Sequence, residues 1–100
     1  MKTYKVTLTN TAVRDLDELY GYVAQTLQEP GLAIKLIDTL EERILSLGQL
    51  PYRCPERAVG IYAGKGYRQL LVKNFTVIYR INEQDKQVVI ITVKYSKSQF

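Results

Sequence analysis

Tyr67-Arg68-Gln69-Leu70-Leu71-Val72, Lys73-Asn74, Phe75-Thr76-Val77-Ile78-Tyr79-Arg80-Ile81, then Asn82-Glu83-Gln84-Asp85-Lys86 and Gln87-Val88-Val89-Ile90-Ile91-Thr92-Val93-Lys94-Tyr95: this stretch decides the fold. Three runs rich in β-branched and aromatic residues, joined by short polar connections, predict an antiparallel meander. Lys73-Asn74 is a natural two-residue hairpin centre, with Asn tolerating the positive φ that such a turn needs. Alternation places Phe75, Val77, Tyr79 and Ile81 on one face and Thr76, Ile78 and Arg80 on the other. From Val88 to Ile91 the last run is apolar on both faces, which predicts a central strand covered on both sides. Arg68, Lys73, Arg80 and Lys94 punctuate the meander, so the scaffold is also the expected working surface.

Upstream, Tyr4-Lys5-Val6-Thr7-Leu8-Thr9 alternates strictly and reads as a half-buried strand. Asn10 or Thr11 is the expected N-cap of a first helix running to about Gln28, with Asp15, Asp17 and Glu18 early in it. Its stripe is Ala12, Leu16, Leu19, Tyr20, Val23 and Leu27. Pro30-Gly31 breaks the pattern and opens a second helix to about Leu47, with Ala33, Ile37, Leu40, Ile44 and Leu47 as its stripe, widened by Ile34, Leu36 and Leu45. Gly48 is the natural residue beyond its end. Two amphipathic helices joined by so short a link form a hairpin that must bury its stripes on itself and on the sheet. Residues 49–66 show no period; Leu50-Pro51-Tyr52-Arg53-Cys54-Pro55 reads as an extended connection, with Arg53 and Arg57 as surface charge. Ser96-Lys97-Ser98-Gln99-Phe100 reads as a polar tail that frays. The expectation is one α+β domain over residues 1–100: a twisted antiparallel sheet, one N-terminal strand plus the three-stranded meander, packed on a helical hairpin.

Composition narrows the chemistry. The single Cys54 leaves no internal disulfide and no thiolate-rich metal site. Histidine is absent, which removes the commonest metal ligand and the usual general base. No metal and no cofactor is expected. No apolar run approaches the roughly 20 residues of a membrane span, and Met1-Lys2-Thr3-Tyr4-Lys5 leads into strand alternation instead of a signal-peptide core; the expected location is the cytoplasm. Gly64-Lys65-Gly66 lacks the rest of a phosphate-loop pattern and no helix follows it. The net charge of +4 is unevenly spread: residues 1–52 hold five Lys/Arg and seven Asp/Glu, and residues 53–100 hold nine and three. The sheet half is therefore +6, suited to an anionic partner.

The ordered set of segments resembles the RelE/ParE superfamily of bacterial type II toxins. The match is carried by Leu47-Gly48-Gln49-Leu50-Pro51-Tyr52-Arg53, by Gly66-Tyr67-Arg68-Gln69-Leu70-Leu71-Val72-Lys73-Asn74-Phe75 and by Val77-Ile78-Tyr79-Arg80-Ile81. It implies a sheet packed on a helical hairpin. It also implies a cognate antitoxin with an acidic toxin-binding tail, and contact with operator DNA only through that antitoxin. RelE-like members cut mRNA on the ribosome, whereas ParE-like members poison DNA gyrase. The positions where the nuclease branch carries arginines align here with Thr76 and, more loosely, Ser96. A later tyrosine of that branch has no counterpart before Phe100. The chain also has Tyr95-Ser96-Lys97-Ser98 where many ParE-like relatives place a small residue, two arginines and an aspartate.

The leading expectation is thus a ParE-like toxin that binds DNA gyrase. One alternative is a ribosome-dependent mRNA endonuclease using Arg68, Lys73 and Lys94 on the phosphate, with Tyr95 moving the proton. Another is a non-toxic module that binds antitoxin for operator repression. Arg68, Arg80, Lys94, Tyr95 and Lys97 are the candidate partner-binding residues: arginine grips carboxylate or phosphate bidentately, and Tyr95 stands at a strand end. Tyr79 shares a face with Phe75 and Val77 and is expected in the core; Cys54, with no histidine to activate it, is expected as a small buried or semi-exposed thiol.

Overall fold

The computed structural model describes residues 3–26, 28–98 and 100. Leu27 of the first stripe, Gln99 of the tail and the opening Met1-Lys2 lie outside the described residues.

Strand β1 (Lys5–Leu8) passes through Thr9 into helix α1 (Asn10–Gly21), which runs on into a π-helical turn at Tyr22–Thr26. Helix α2 (Pro30–Leu45) packs back on α1 and closes in a 3-10 turn, Ser46–Gly48. The meander follows as β2 (Arg68–Val72), β3 (Phe75–Asn82) and β4 (Gln87–Tyr95). The cap of α1 is Thr9, not Asn10 or Thr11: its hydroxyl accepts from the Ala12 amide at 3.1 Å and donates to the Ile91 carbonyl at 2.8 Å. One side chain thereby starts the helix and ties it to the sheet. With Thr9 as cap, the first turn holds no acid, so Asp15 lies too deep in the helix to serve its dipole.

The sheet order is β1-β4-β3-β2, with β4 central as expected. The meander is antiparallel, but β1 runs parallel to β4, so the sheet is mixed and not wholly antiparallel. Period-two alternation reports which face is buried and carries no information about strand direction. The amides of Lys5 and Thr9 take the carbonyls of Lys86 and Ile90 at 2.9 and 3.0 Å, fixing the parallel register. A register shift pairs Ile78 with Thr92 and Tyr79 with Ile90, leaving Ile91 as an extra residue on β4. The shift rephases β4, so that Val88, Ile90 and then Val93 join the core.

The core lies between the hairpin and this face of the sheet: Ala12, Leu16, Leu40, Ile44 and Leu47 against Leu70, Val72, Val77, Tyr79, Val88 and Ile90. Full burial of a Leu or Ile stabilises by about 1.5–3 kcal/mol, and Leu40 and Ile44 are both closed to solvent. Ile34, Leu45 and Tyr20, counted in the sequence stripes, point outward instead. A two-stripe hairpin on one sheet face has room only for the narrow seam. Thr76, Ile78 and Thr92 on the opposite face are buried too.

Two further corrections concern the connections. Leu50–Pro55 is not extended: Pro51–Arg53 forms a 3-10 turn, entered through Leu50 in the left-handed region (φ 51). The chain then flanks the outer edge of β2, with Arg57 N donating to Tyr67 O (2.7 Å) and Gln69 N to Pro55 O (3.0 Å), covering part of an edge that would otherwise offer free amides. Nor does the tail fray where described. Ser96 N donates to Asn74 O (2.8 Å), Phe100 O accepts from Ile61 N (3.2 Å), and the Arg57 guanidinium lies 4.4 Å from the Phe100 ring centre. In the first hairpin Lys73, not Asn74, takes the positive φ of 52.

Candidate functional site

The sequence-selected cations do not converge. Arg68 and Lys73 are five residues apart on one strand and its turn, roughly 17 Å by the rise of a strand. Arg68 alternates with Leu70 and Val72 on the helix-facing side, whereas Lys94 alternates with Thr92 on the other. Arg80 is exposed on that same far side. Lys73, Tyr95 and Lys97 belong to segments that meet at one end of the sheet, where Ser96 N donates to Asn74 O and the paired Phe75 and Tyr95 rings meet edge to face at 5.8 Å. Lys94 stands beside them in sequence, but its ammonium is directed at Asp15, 3.6 Å away. Next to this end, an apolar groove between α2 and the first hairpin is floored by Val23, Leu36 and Phe75 and rimmed by Lys35 and Lys73. A second groove, between α1 and α2, has the opposite rim, Asp17 and Glu41.

Thr76 and Ser96, the two positions set against nuclease arginines, lie together. Thr76 is buried and its hydroxyl is 2.8 Å from that of Ser96. Two neutral hydroxyls satisfying each other supply no positive charge to a phosphate.

At the opposite end lies a network that the sequence did not reveal. Glu83, in the β3–β4 turn, accepts hydrogen bonds from the Tyr4 hydroxyl (2.8 and 3.0 Å) and the Tyr52 hydroxyl (2.7 Å), and pairs with Lys86. Arg68 Nη1 donates to Cys54 O at 2.6 Å, with its guanidinium carbon 5.1 Å from the Tyr52 ring centre. Arg53, expected as plain surface charge, donates to Ser46 O (3.2 Å), Gln49 O (2.6 Å) and Ser46 Oγ (2.7 Å). The buried Tyr79 hydroxyl donates to Pro51 O at 2.6 Å. Together these bonds fix the turn after α2 against β1, β3 and the β3–β4 turn. Pairings across 31 and 79 residues have no local signal in the sequence.

The Lys86 ammonium, followed by the two phenols, holds the Glu83 carboxyl down at about 2, from an ordinary 4.5. The same bonds raise Tyr4 and Tyr52, since only the neutral phenol can donate to the carboxylate. A depressed folded pKa means that this anchoring is complete above about pH 4.5 and is lost as pH falls towards 2. Acid titration of the Tyr52 ring signals in the wild type is expected to show a transition in that window. Glu83→Gln should remove it; an unchanged transition in the variant would show that another group sets it.

Among the described residues no cluster of His, Cys, Asp and Glu is placed to hold a metal ion, and no helix is long and apolar enough to cross a membrane.

The family model described as "ParE toxin of type II toxin-antitoxin system, parDE" matches residues 6–100. Among solved structures, the chromosomal ParDE toxin–antitoxin system of P. aeruginosa superposes with a TM-score of 0.80 at 21% identity, covering 97% of this chain and 100% of that one. A RelBE2 toxin–antitoxin complex from Mycobacterium tuberculosis gives 0.68 at 24% identity, over 93% and 98% of the two chains. A YoeB/ParE toxin from Agrobacterium tumefaciens gives 0.60 at 13% identity, over 91% and 96%. These structures share the fold of a sheet packed on two helices. No curated protein matches the chain in sequence.

Proposed function

Because the chain belongs to the ParE toxin family of type II toxin–antitoxin systems, we propose that it inhibits bacterial growth by binding DNA gyrase and is held inactive by a cognate antitoxin. The family match over residues 6–100 carries the reading. The geometry favours recognition of a protein over phosphoryl chemistry. Thr76 and Ser96 bond each other, and Arg68 and Lys94 project from opposite faces, so the cations selected for that role do not surround one scissile phosphate. That leaves the endonuclease alternative without its electrostatic catalyst. Binding at the cell's replication machinery places the site of action in the cytoplasm.

The groove between α2 and the first hairpin suits an acidic, amphipathic antitoxin segment. Apolar side chains of such a segment would lie on Leu36 and Phe75, and carboxylates on Lys35 and Lys73, with Tyr95 and Lys97 extending the surface. Arg80 and Lys94 extend the positive field on the far face. DNA of the operator is reached only through the antitoxin.

Expression without antitoxin should stop growth and accumulate cleaved gyrase–DNA complexes. Codon-positioned mRNA cuts would replace the gyrase reading with the nuclease one, and unaffected growth in the presence of folded protein would leave the non-toxic module. Lys73→Glu with Lys97→Glu should weaken capture of the antitoxin by about tenfold or more, equivalent to about 1.4 kcal/mol. Calorimetric titration reads it; affinity equal to wild type would move the antitoxin elsewhere.

A further inference from the structure

Among the described residues four that are not glycine hold a positive φ: Gln28, Leu50, Lys73 and Lys86. Lys73 and Lys86 belong to the tight turns of the meander, and Gln28 precedes α2. Leu50 differs from these three, because it is apolar and 71% exposed. The left-handed region costs a residue with a Cβ about 1–2 kcal/mol, and a residue before proline is ordinarily extended. Glycine or asparagine would adopt this backbone more readily, and a polar residue would suit this exposure. Leu50 therefore breaks two local rules at once, and such breaks concentrate at functional positions.

The strain is held by design of the surroundings. Arg53 clamps the carbonyls of Ser46 and Gln49, and its amide takes Leu50 O at 3.1 Å. Tyr79 bonds Pro51 O, Arg68 bonds Cys54 O, and Tyr52 bonds Glu83. A plain connection from α2 to β2 needs none of these bonds. Their joint effect is to present Leu50, with the half-exposed ring of Tyr52 two residues on, in one fixed arrangement.

We propose that the turn Leu50–Arg53 is the element through which the protein engages its target, Leu50 being the anchor that enters an apolar pocket on a protein surface with carboxylates at its rim. The inference rests on the toxin reading above. A protein pocket fits better than nucleic acid, since the leucine side chain offers nothing to a phosphate or a base edge. Arg53, Arg68 and Lys86 in the same network outnumber Glu83, which favours acidic groups around the receiving pocket. Tyrosine and arginine beside a rigid apolar contact form the kind of cluster on which interface energies concentrate. A pre-set turn also loses little entropy on binding.

The test uses Leu50→Gly, Leu50→Asn and Leu50→Met in the full chain, induced in a bacterial host and also purified. The glycine and asparagine variants are expected to melt within a few degrees of wild type or above it, because the strain is relieved. They should bind antitoxin as wild type does, yet raise survival after induction at least tenfold. Leu50→Met should keep growth arrest. Arrest undiminished in Leu50→Gly and Leu50→Asn overturns the proposal. So does a large fall in their melting temperature, which would make Leu50 a packing residue. A parallel loss of antitoxin affinity would assign the turn to the antitoxin, and a wild-type dimer dissolved by Leu50→Gly would assign it to a second copy; either overturns it. A wild-type chain that never arrests growth removes this inference together with the toxin reading. Arrest without gyrase–DNA cleavage removes only the choice of gyrase, leaving the turn to be judged by its variants.

Discussion

Tyr79→Ala is expected to lower stability by about 4 kcal/mol, within the range for deleting a buried aromatic side chain. Tyr79 is the largest of the fully buried side chains and packs in the core between sheet and hairpin. A domain of this size has only about 5–15 kcal/mol in total, so the variant should be partly unfolded at growth temperature. Urea denaturation measures it; a change below about 1 kcal/mol would show that the ring is not the keystone its burial implies. Tyr79→Phe separates packing from the polar contact. It keeps the ring and removes the donor to Pro51 O, for an expected loss of about 1–3 kcal/mol as a buried carbonyl goes unsatisfied. It should also loosen the Pro51–Arg53 turn, so amides of residues 52–54 should exchange faster than in wild type.

The role of Tyr79 shows where sequence reading succeeds. Its place beside Phe75 and Val77 followed from alternation alone, and the core confirms it. The same logic found the meander, the central place of β4 and the α+β class, because periodicity records burial and burial dominates folding. Direction is another matter. Nothing in Val6 or Leu8 says whether β1 lies parallel or antiparallel to its neighbour, and the parallel answer depends on Lys86 and Ile90, more than eighty residues away. Helix stripes were read too wide for a similar reason: Ile34 and Leu45 are apolar, but the geometry of the partner surface decides which flank of a stripe is covered.

Polar organisation was the least legible part. Glu83 looked like one residue of a turn, and Tyr4 like an inward residue of a strand. Only the fold brings them within 2.8 Å. Arg68 was read as a partner-binding candidate, and its described contacts are with the Cys54 and Tyr52 carbonyls and the Tyr52 ring. A cation on a strand cannot announce from sequence whether it faces a ligand or a loop. The strain at Leu50 was equally hidden, since backbone dihedrals are imposed there by long-range bonds. Thr76 and Ser96 are a partial exception. The family resemblance placed both against nuclease arginines, and the structure brings the pair together at 2.8 Å.

Asp15→Ala should cost about 2–3 kcal/mol, because its carboxylate holds the edge of β4. β1 ends at Leu8, opposite Ile90, so among the described residues the edge of β4 beyond that point has no strand to pair with. Thr9 serves the Ile91 carbonyl at 2.8 Å, and Asp15 accepts from the Val93 amide at 3.1 Å and from the Thr92 hydroxyl. The two helix residues thus continue the ladder that β1 leaves unfinished. Thr92 is fully buried, so deleting the carboxylate strands a hydroxyl and an amide where little water reaches. The distant Lys94 ammonium, 3.6 Å away and partly exposed, adds little. Asp15→Asn retains one acceptor oxygen and should lose only about 1 kcal/mol. Denaturation measures the totals, and hydrogen exchange at Val93 locates them: its protection should fall in Asp15→Ala far more than that of Val77 in the neighbouring strand. If Asp15→Ala matches wild type within about 0.5 kcal/mol, the helix is not what closes this edge, and water or the tail must satisfy Val93 instead.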